Sequence, residues 1–221
     1  MKITIKREIL DKLPNFDILA YTMDVVYEET QGELLKLIKQ YENKIKEEYS
    51  LEDVLNIPLI KEARDGYKKL GKDPSRYRLA CESLLRRLVK GNELYIINNL
   101  VDVGNVLSIE TKRSTAVLDL DKIEGDIIIR LGRASDYYEG IGRGVINIEN
   151  IPCYEDNVSP FGSTTSDTLR TSVTNTTKRI LLFIVCFGLS EKDKDEKDAI
   201  TLFSKYSSAK NIQKIEVIKE G

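Results

Sequence analysis

The stretch Ala116-Val117-Leu118-Asp119-Leu120-Asp121-Lys122-Ile123-Glu124-Gly125-Asp126-Ile127-Ile128-Ile129-Arg130-Leu131 divides the chain into two textures. Its apolar runs, Ala116–Leu120 and Ile127–Leu131, flank a charged turn closed by Gly125, the pattern of neighbouring strands. Upstream the spacing is helical. Leu34, Leu35, Ile38, Tyr41, Ile45 and Tyr49 recur at three- and four-residue steps behind Thr30, and Thr30 with Glu33 has the spacing of a capping box. Ile57-Pro58 opens a second helix with Leu59, Ile60, Ala63, Tyr67 and Leu70 on one face, and Gly71 closes it. Leu79–Val89 and Leu100–Ile109 read as two more. Downstream, strands at Val145–Ile148 and Ile151–Tyr154 sit among glycines, and Ser159–Thr177 is a polar loop. Ile180–Phe187 is apolar without alternation, which predicts a strand covered on both faces. The charged run Glu191–Asp198 reads as a solvated helix start or surface loop leading into an amphipathic helix through Ala199, Leu202, Phe203 and Tyr206. Ile212–Ile218 is a last strand, and Ile3–Ile5 and Ile18–Tyr27 are two early ones. Helices early, strands in the middle and a mixed end predict an α+β fold. With no repeat and no linker, we expect a core domain over 60–221 and an N-terminal α/β extension over 1–59 packed on it.

The chain has 221 residues, and at 41% apolar it can build a sizeable core. It has no histidine, which excludes Ser-His and Cys-His nucleophile pairs and imidazole zinc sites. Acid–base chemistry must then come from carboxylates, Tyr, Lys, Cys, substrate or water. Cys81, Cys153 and Cys186 are widely spaced, so neither a zinc ribbon nor a disulfide framework is expected. The start, Met1 to Leu10, lacks the apolar segment of a secretory signal, and the apolar run Ile180–Leu189 is too short to span a bilayer. A cytoplasmic protein without metal or cofactor is expected.

Charge is nearly balanced overall at −2, but unevenly placed. Residues 61–91 hold ten Lys/Arg against four Asp/Glu, with Tyr67 and Tyr77 among them. A basic strip with aromatic residues suits a phosphate backbone, and it also suits a pair of solvated helix faces. Within this strip Arg76, Arg78, Arg86, Arg87 and Lys90 are the candidate RNA-binding set.

The same segment carries a resemblance. Gly71-Lys72-Asp73-Pro74-Ser75-Arg76-Tyr77-Arg78 is followed by Glu82-Ser83-Leu84-Leu85-Arg86-Arg87, then Leu100-Val101-Asp102-Val103-Gly104-Asn105, then Asp119-Leu120-Asp121-Lys122-Ile123-Glu124-Gly125-Asp126 and Ile129-Arg130. In this order, over roughly residues 60–188, the pattern resembles the stand-alone B3/B4 domain family, which is similar to the editing domain of the phenylalanyl-tRNA synthetase beta subunit. The resemblance implies a sheet-rich half packed on helices, a partner in the aminoacylated 3′ end of tRNA, and hydrolysis of mischarged esters in trans. A non-catalytic module binding tRNA, another RNA or an amino acid on the same fold is the alternative.

The resemblance and the residue chemistry together give a candidate pocket. Asn105 matches a family asparagine; its amide suits a substrate carbonyl or amine, and equally local backbone. Glu82 shares a helix face with Arg86, as an i,i+4 pair or as a shaper of the cleft. Gly162 lets backbone approach a ligand, while Ser163, Thr164, Thr165 and Ser166 offer hydroxyls and Asp167 a carboxylate to orient water; a Ser/Thr-rich surface loop would look the same. Asp119 reads as a turn or cap residue. The resemblance places an editing histidine at Ala116 and an editing glutamate near Phe183. Tyrosine selectivity is therefore not expected to carry over, whereas hydrolysis of an activated ester by positioned water and backbone donors remains open.

Overall fold

The computed structural model describes residues 1–221. The quoted stretch forms β3 (Thr115–Asp119), a 3-10 turn at Leu120–Lys122, and β4 (Ile127–Leu131). These two strands do not pair; each enters a different sheet. The other elements, in chain order, are β1 (Ile3–Ile5), α1 (Arg7–Leu10), β2 (Asp17–Asp24), α2 (Gly32–Glu48), α3 (Leu51–Asn56), α4 (Pro58–Leu70), α5 (Ala80–Val89) and α6 (Asn99–Thr111) before them. After them come β5 (Tyr137–Gly140), β6 (Gly144–Asn147), β7 (Pro152–Glu155), β8 (Pro160–Ser163), β9 (Arg179–Cys186), α7 (Lys192–Tyr206), β10 (Lys210–Ile215) and β11 (Val217–Lys219). The fold is α+β.

One sheet has five strands in the order β11-β1-β4-β7-β8 and the other four in the order β10-β2-β9-β3; β5 and β6 form a separate hairpin. The predicted both-face burial of β9 holds, every residue from Ile180 to Cys186 being buried. Its neighbours are antiparallel, so the burial comes from layers above and below. On one face Phe183 meets Tyr154 of β7 edge-on at 5.1 Å, joining the two sheets. On the other, Val117, opposite Leu182, lies against α6 at Gly104, where a Cβ would approach Val117 Cγ2 to 2.5 Å. A glycine at this point brings helix and sheet into contact. Ala116 and Phe183, singled out separately in the sequence, are direct cross-strand partners, both buried.

Several expectations shift. Residues 1–59 supply β1 and β2, which take interior positions in both sheets, and one cluster of 48 buried residues runs across residue 59. The early segment is therefore woven into the core. Thr30 does not cap α2; the cap position is Gln31, and the Thr30 hydroxyl donates to Asp102 at 2.6 Å. A capping box occurs instead at α3, where Ser50 and Asp53 satisfy each other's backbone N–H. The run Ile212–Ile218 breaks at Glu216 into β10 and β11, one for each sheet. The Ser/Thr-rich segment contains β8. Glu191–Asp198 is helical, and the Arg113 guanidinium pairs with buried Asp195 at 2.6 Å, fixing α7 to the start of β3. No helix is long and apolar enough to cross a membrane.

Candidate nucleic-acid interface and adjoining cavity

α5 and the turn before it build a basic cleft. Gly71 ends α4 in a left-handed conformation (φ 89°), turning the chain into the 72–78 loop that carries Arg76 and Arg78. The α5 stripe Cys81, Leu85 and Leu88 is buried, so Arg86, Arg87 and Lys90 face outward. The five predicted cations line a single cleft of about 390 Å³ with Ser83, Asn92 and a sixth cation, Arg143, and no apolar residue. Tyr95 lies under the Arg87 guanidinium at 3.9 Å, and Arg87 Nε donates to the Glu93 carbonyl, so this cation is held in place; Lys72, over Tyr77 at 3.7 Å, is buried outside the cleft and donates to the Glu149 carbonyl at 2.7 Å. Six positive groups with no acid among the lining residues give an anion-binding surface.

Glu82 lies beneath this cleft and not in the pocket expected for it. It is fully buried, accepts from Arg64 Nη1 at 2.9 Å with both oxygens, and stands 3.9 Å from Arg86 Nη1. The i,i+4 reading is the nearer one, with Arg64 of α4 as the dominant partner. Through this longer contact it places a counter-charge beneath Arg86, whose buried Nε has no hydrogen-bond partner.

The other pocket candidates separate by how their polar atoms are occupied. A cavity of about 290 Å³ lies between α6, β3, the β5–β6 turn and the segment after β8, and its lining includes both Asn105 and Asp167. Gly162 lies under Asp167; a Cβ there would stand 2.5 Å from Asp167 Oδ1. Ser163, Thr164 and Ser166 do not line the cavity. Ser163 Oγ accepts from the Tyr138 hydroxyl at 2.7 Å. Thr164 is fully buried, hydrogen-bonded to Tyr67, and its carbonyl accepts the Ala80 N–H at 3.0 Å at the start of α5. The Ser166 carbonyl accepts the Ser163 N–H at 3.0 Å, closing a tight turn. Short hydroxyl side chains preferentially satisfy nearby backbone and neighbouring hydroxyls, which is why a Ser/Thr-rich run misleads as a ligand site. Asp119 accepts from Asp121 N–H at 3.1 Å and from the Thr177 hydroxyl at 2.7 Å, a cap as expected.

Asp167 is different. Its Oδ1 is buried with no hydrogen-bond partner. Burial pushes its pKa up to about 7, partly opposed by the Ser163 backbone amide. The remaining polar lining is Asn98, Thr115 and Ser172; the apolar lining includes Val101, Val117, Leu118 and Val173, with Ile97, Ile141 and Leu169 partly exposed. Sequence reading missed Arg143 and Ile141, which sit in the glycine-flanked turn Gly140-Ile141-Gly142-Arg143-Gly144. Gly142 and Gly144 have positive φ, and this alternation was the available signal. Ile141 lines the cavity and Arg143 the cleft. The turn thus contributes one side chain to each of the two sites.

An α+β domain with a basic cleft and a small, largely apolar cavity, both reached by one hairpin turn, is thus the class of protein defined by fold and site. The chain belongs to the B3/4 domain family, whose pattern matches residues 62–214. It is similar to a curated protein named phenylalanine–tRNA ligase beta subunit from Bartonella henselae, 33% identical over 90 residues, which are 39% of this chain and 11% of that one. The chain thus spans only a small part of that relative's length. Its fold is similar to the crystal structure of an N-terminal fragment of the phenylalanyl-tRNA synthetase beta subunit from Pyrococcus horikoshii, with a TM-score of 0.54 and 11% identity, over 99% of this chain and 52% of the other.

Proposed function

We propose that this protein binds the 3′ end of aminoacylated tRNA in trans and hydrolyses mischarged aminoacyl esters. One observation carries the reading: Arg76, Arg78, Arg86, Arg87, Lys90 and Arg143 converge on one cleft, and the turn that supplies Arg143 also supplies Ile141 to a cavity lined by Asn105 and Asp167. The cleft takes phosphates and the cavity takes the aminoacyl group. In the reaction, water attacks the ester carbonyl carbon, the bond to the ribose oxygen breaks, and the free amino acid and tRNA leave. The ester is already activated, so positioning and a donor to the developing oxyanion supply the acceleration. With no histidine in the chain, the proton passes through water and the terminal ribose hydroxyl.

Two measurements test this. Affinity for tRNA should fall with salt with a logarithmic slope of about −4 to −5 if all six cations meet phosphates, and Arg143→Ala should reduce that slope by about 1. Unchanged tRNA affinity in the Arg86→Ala, Arg87→Ala, Lys90→Ala triple variant would remove the cleft from the reading. A panel of labelled aminoacyl-tRNAs then reports deacylation. Tight, salt-sensitive binding with no hydrolysis of any of them would leave a non-catalytic tRNA-binding module, a reading favoured by Asp167 being the cavity's only ionisable lining residue.

A further inference from the structure

Most polar groups of the cavity are already occupied. The Asn98 side-chain oxygen accepts the Val101 N–H at 3.0 Å, the Thr115 hydroxyl donates to the Gly104 carbonyl at 3.0 Å, and the Ser172 hydroxyl donates to the Leu169 carbonyl at 2.8 Å. Asp167, whose carboxyl has no side-chain partner and whose Oδ1 is buried against Gly162, and the Asn105 amide are left among the lining residues to meet a ligand. A buried carboxylate without a partner is unfavourable, and no Lys or Arg lines the cavity to neutralise it. A cationic group on the ligand would. The rest of the wall is apolar: Val101, Val117, Leu118 and Val173 within, and Ile97, Ile141 and Leu169 at 55%, 43% and 63% exposure at the rim. At about 290 Å³ the space is at the small end of ligand sites. It suits one side chain with its α-amino group.

Building on the reading that the basic cleft holds an RNA 3′ end, we infer that the cavity selects the aminoacyl group of an apolar amino acid, with its α-ammonium on Asp167 and its carbonyl oxygen on the Asn105 amide. The side chain lies against Val101, Val117 and Leu118. A hydroxyl on that side chain gives up its water partners and finds no free partner among these residues, so tyrosine and serine are disfavoured.

Amino-acid amides, which keep the α-ammonium and replace the ester by an uncharged amide, mimic the aminoacyl group without the RNA. Calorimetric titration of the full chain near pH 7.5 should show L-leucinamide and L-phenylalaninamide binding, and L-tyrosinamide and L-serinamide binding roughly 10- to 100-fold more weakly. N-acetyl-L-leucinamide, which lacks the ammonium, should lose at least about tenfold. Asp167→Asn should abolish the preference for the free amine over the acetylated form. Equal binding of the acetylated compound, tyrosinamide binding as tightly as phenylalaninamide, or no binding of either apolar amide at millimolar concentration would overturn the inference. Retention of uncharged tRNA, measured in parallel, separates the two readings. Loss of amide selectivity with tRNA binding intact sinks only this inference, and amide binding without tRNA binding sinks only the proposed function.

Discussion

Ionising the buried Asp167 carboxyl carries a cost in stability. Its folded pKa lies near 7, above the usual carboxylate value, because burial penalises the charge. Between about pH 4 and pH 7 the unfolded chain releases a proton that the folded protein keeps, so this group lowers stability progressively across that window and holds it down above pH 7. Asp167→Asn is therefore expected to stabilise the unliganded protein by about 1–3 kcal/mol at pH 8 and to have little effect near pH 4, after allowance for partial solvent screening. Urea unfolding at the two pH values measures it; a variant less stable at pH 8 would mean that the carboxylate is structurally required. Glu82 poses the opposite case. Its carboxylate is fully buried and paired with Arg64, so Glu82→Gln leaves a largely buried guanidinium without its counter-charge and should cost about 3 kcal/mol in the same assay. It should also weaken tRNA binding by unseating Arg86.

The contact of α6 with β3 is narrow enough to test directly. Gly104→Ala would place its methyl group 2.5 Å from Val117 Cγ2 and should cost about 1–3 kcal/mol despite the better helix propensity of alanine. Adding Val117→Ala should restore at least half of that loss, and strict additivity of the two changes would show that they do not touch. At this scale the sequence was read well where a long periodic pattern faced the core. α4 and α5 show their buried stripes in Ile60, Ala63, Tyr67, Leu70 and in Cys81, Leu85, Leu88. β9 shows itself as an unbroken apolar run. The basic cleft was legible for the same reason, since five of its cations ride on α5 and the loop before it. The short elements were not. β5, Tyr137–Gly140, contains two tyrosines, a glutamate and a glycine, and β8 contains Pro160 and Gly162; their pairing is imposed by neighbours and carries little local signal. The β10–β11 break at Glu216 was hidden because strand propensity continues through it while the sheet changes. Glu82 and the 163–166 hydroxyls were misplaced because sequence shows donors and acceptors without showing which are already satisfied. Asp167 and Asn105 come together in one cavity because α6 and the segment after β8 both border it, a long-range contact with no local signal.

Across the whole molecule, the ends of the chain complete what its beginning starts. β11 pairs in parallel with β1, Ile3 opposite Val217, and β10 pairs antiparallel with β2, Lys214 opposite Tyr21. The segment from residue 210 to 219 thus covers the outer edge of one interior strand in each sheet. Removing residues 209–221 should leave both β1 and β2 as open edges, producing self-association visible by light scattering at concentrations where the intact chain stays monodisperse. A truncated chain that remains as disperse and as stable as the full one would show that these edges need no cover.

The glycine-flanked turn at 140–144 has a consequence for how the two sites influence each other. It lends Ile141 to the cavity and Arg143 to the cleft, so a displacement of the turn alters both at once. A ligand that fixes the turn from one side reduces the ordering that a ligand on the other side must impose. Thermodynamic reciprocity then makes the effect mutual: the factor by which a bound aminoacyl group tightens the grip on RNA equals the factor by which RNA tightens the grip on the aminoacyl group. On the proposed function, five residues at the tip of a hairpin are where binding of the aminoacyl group and binding of the RNA would reinforce each other.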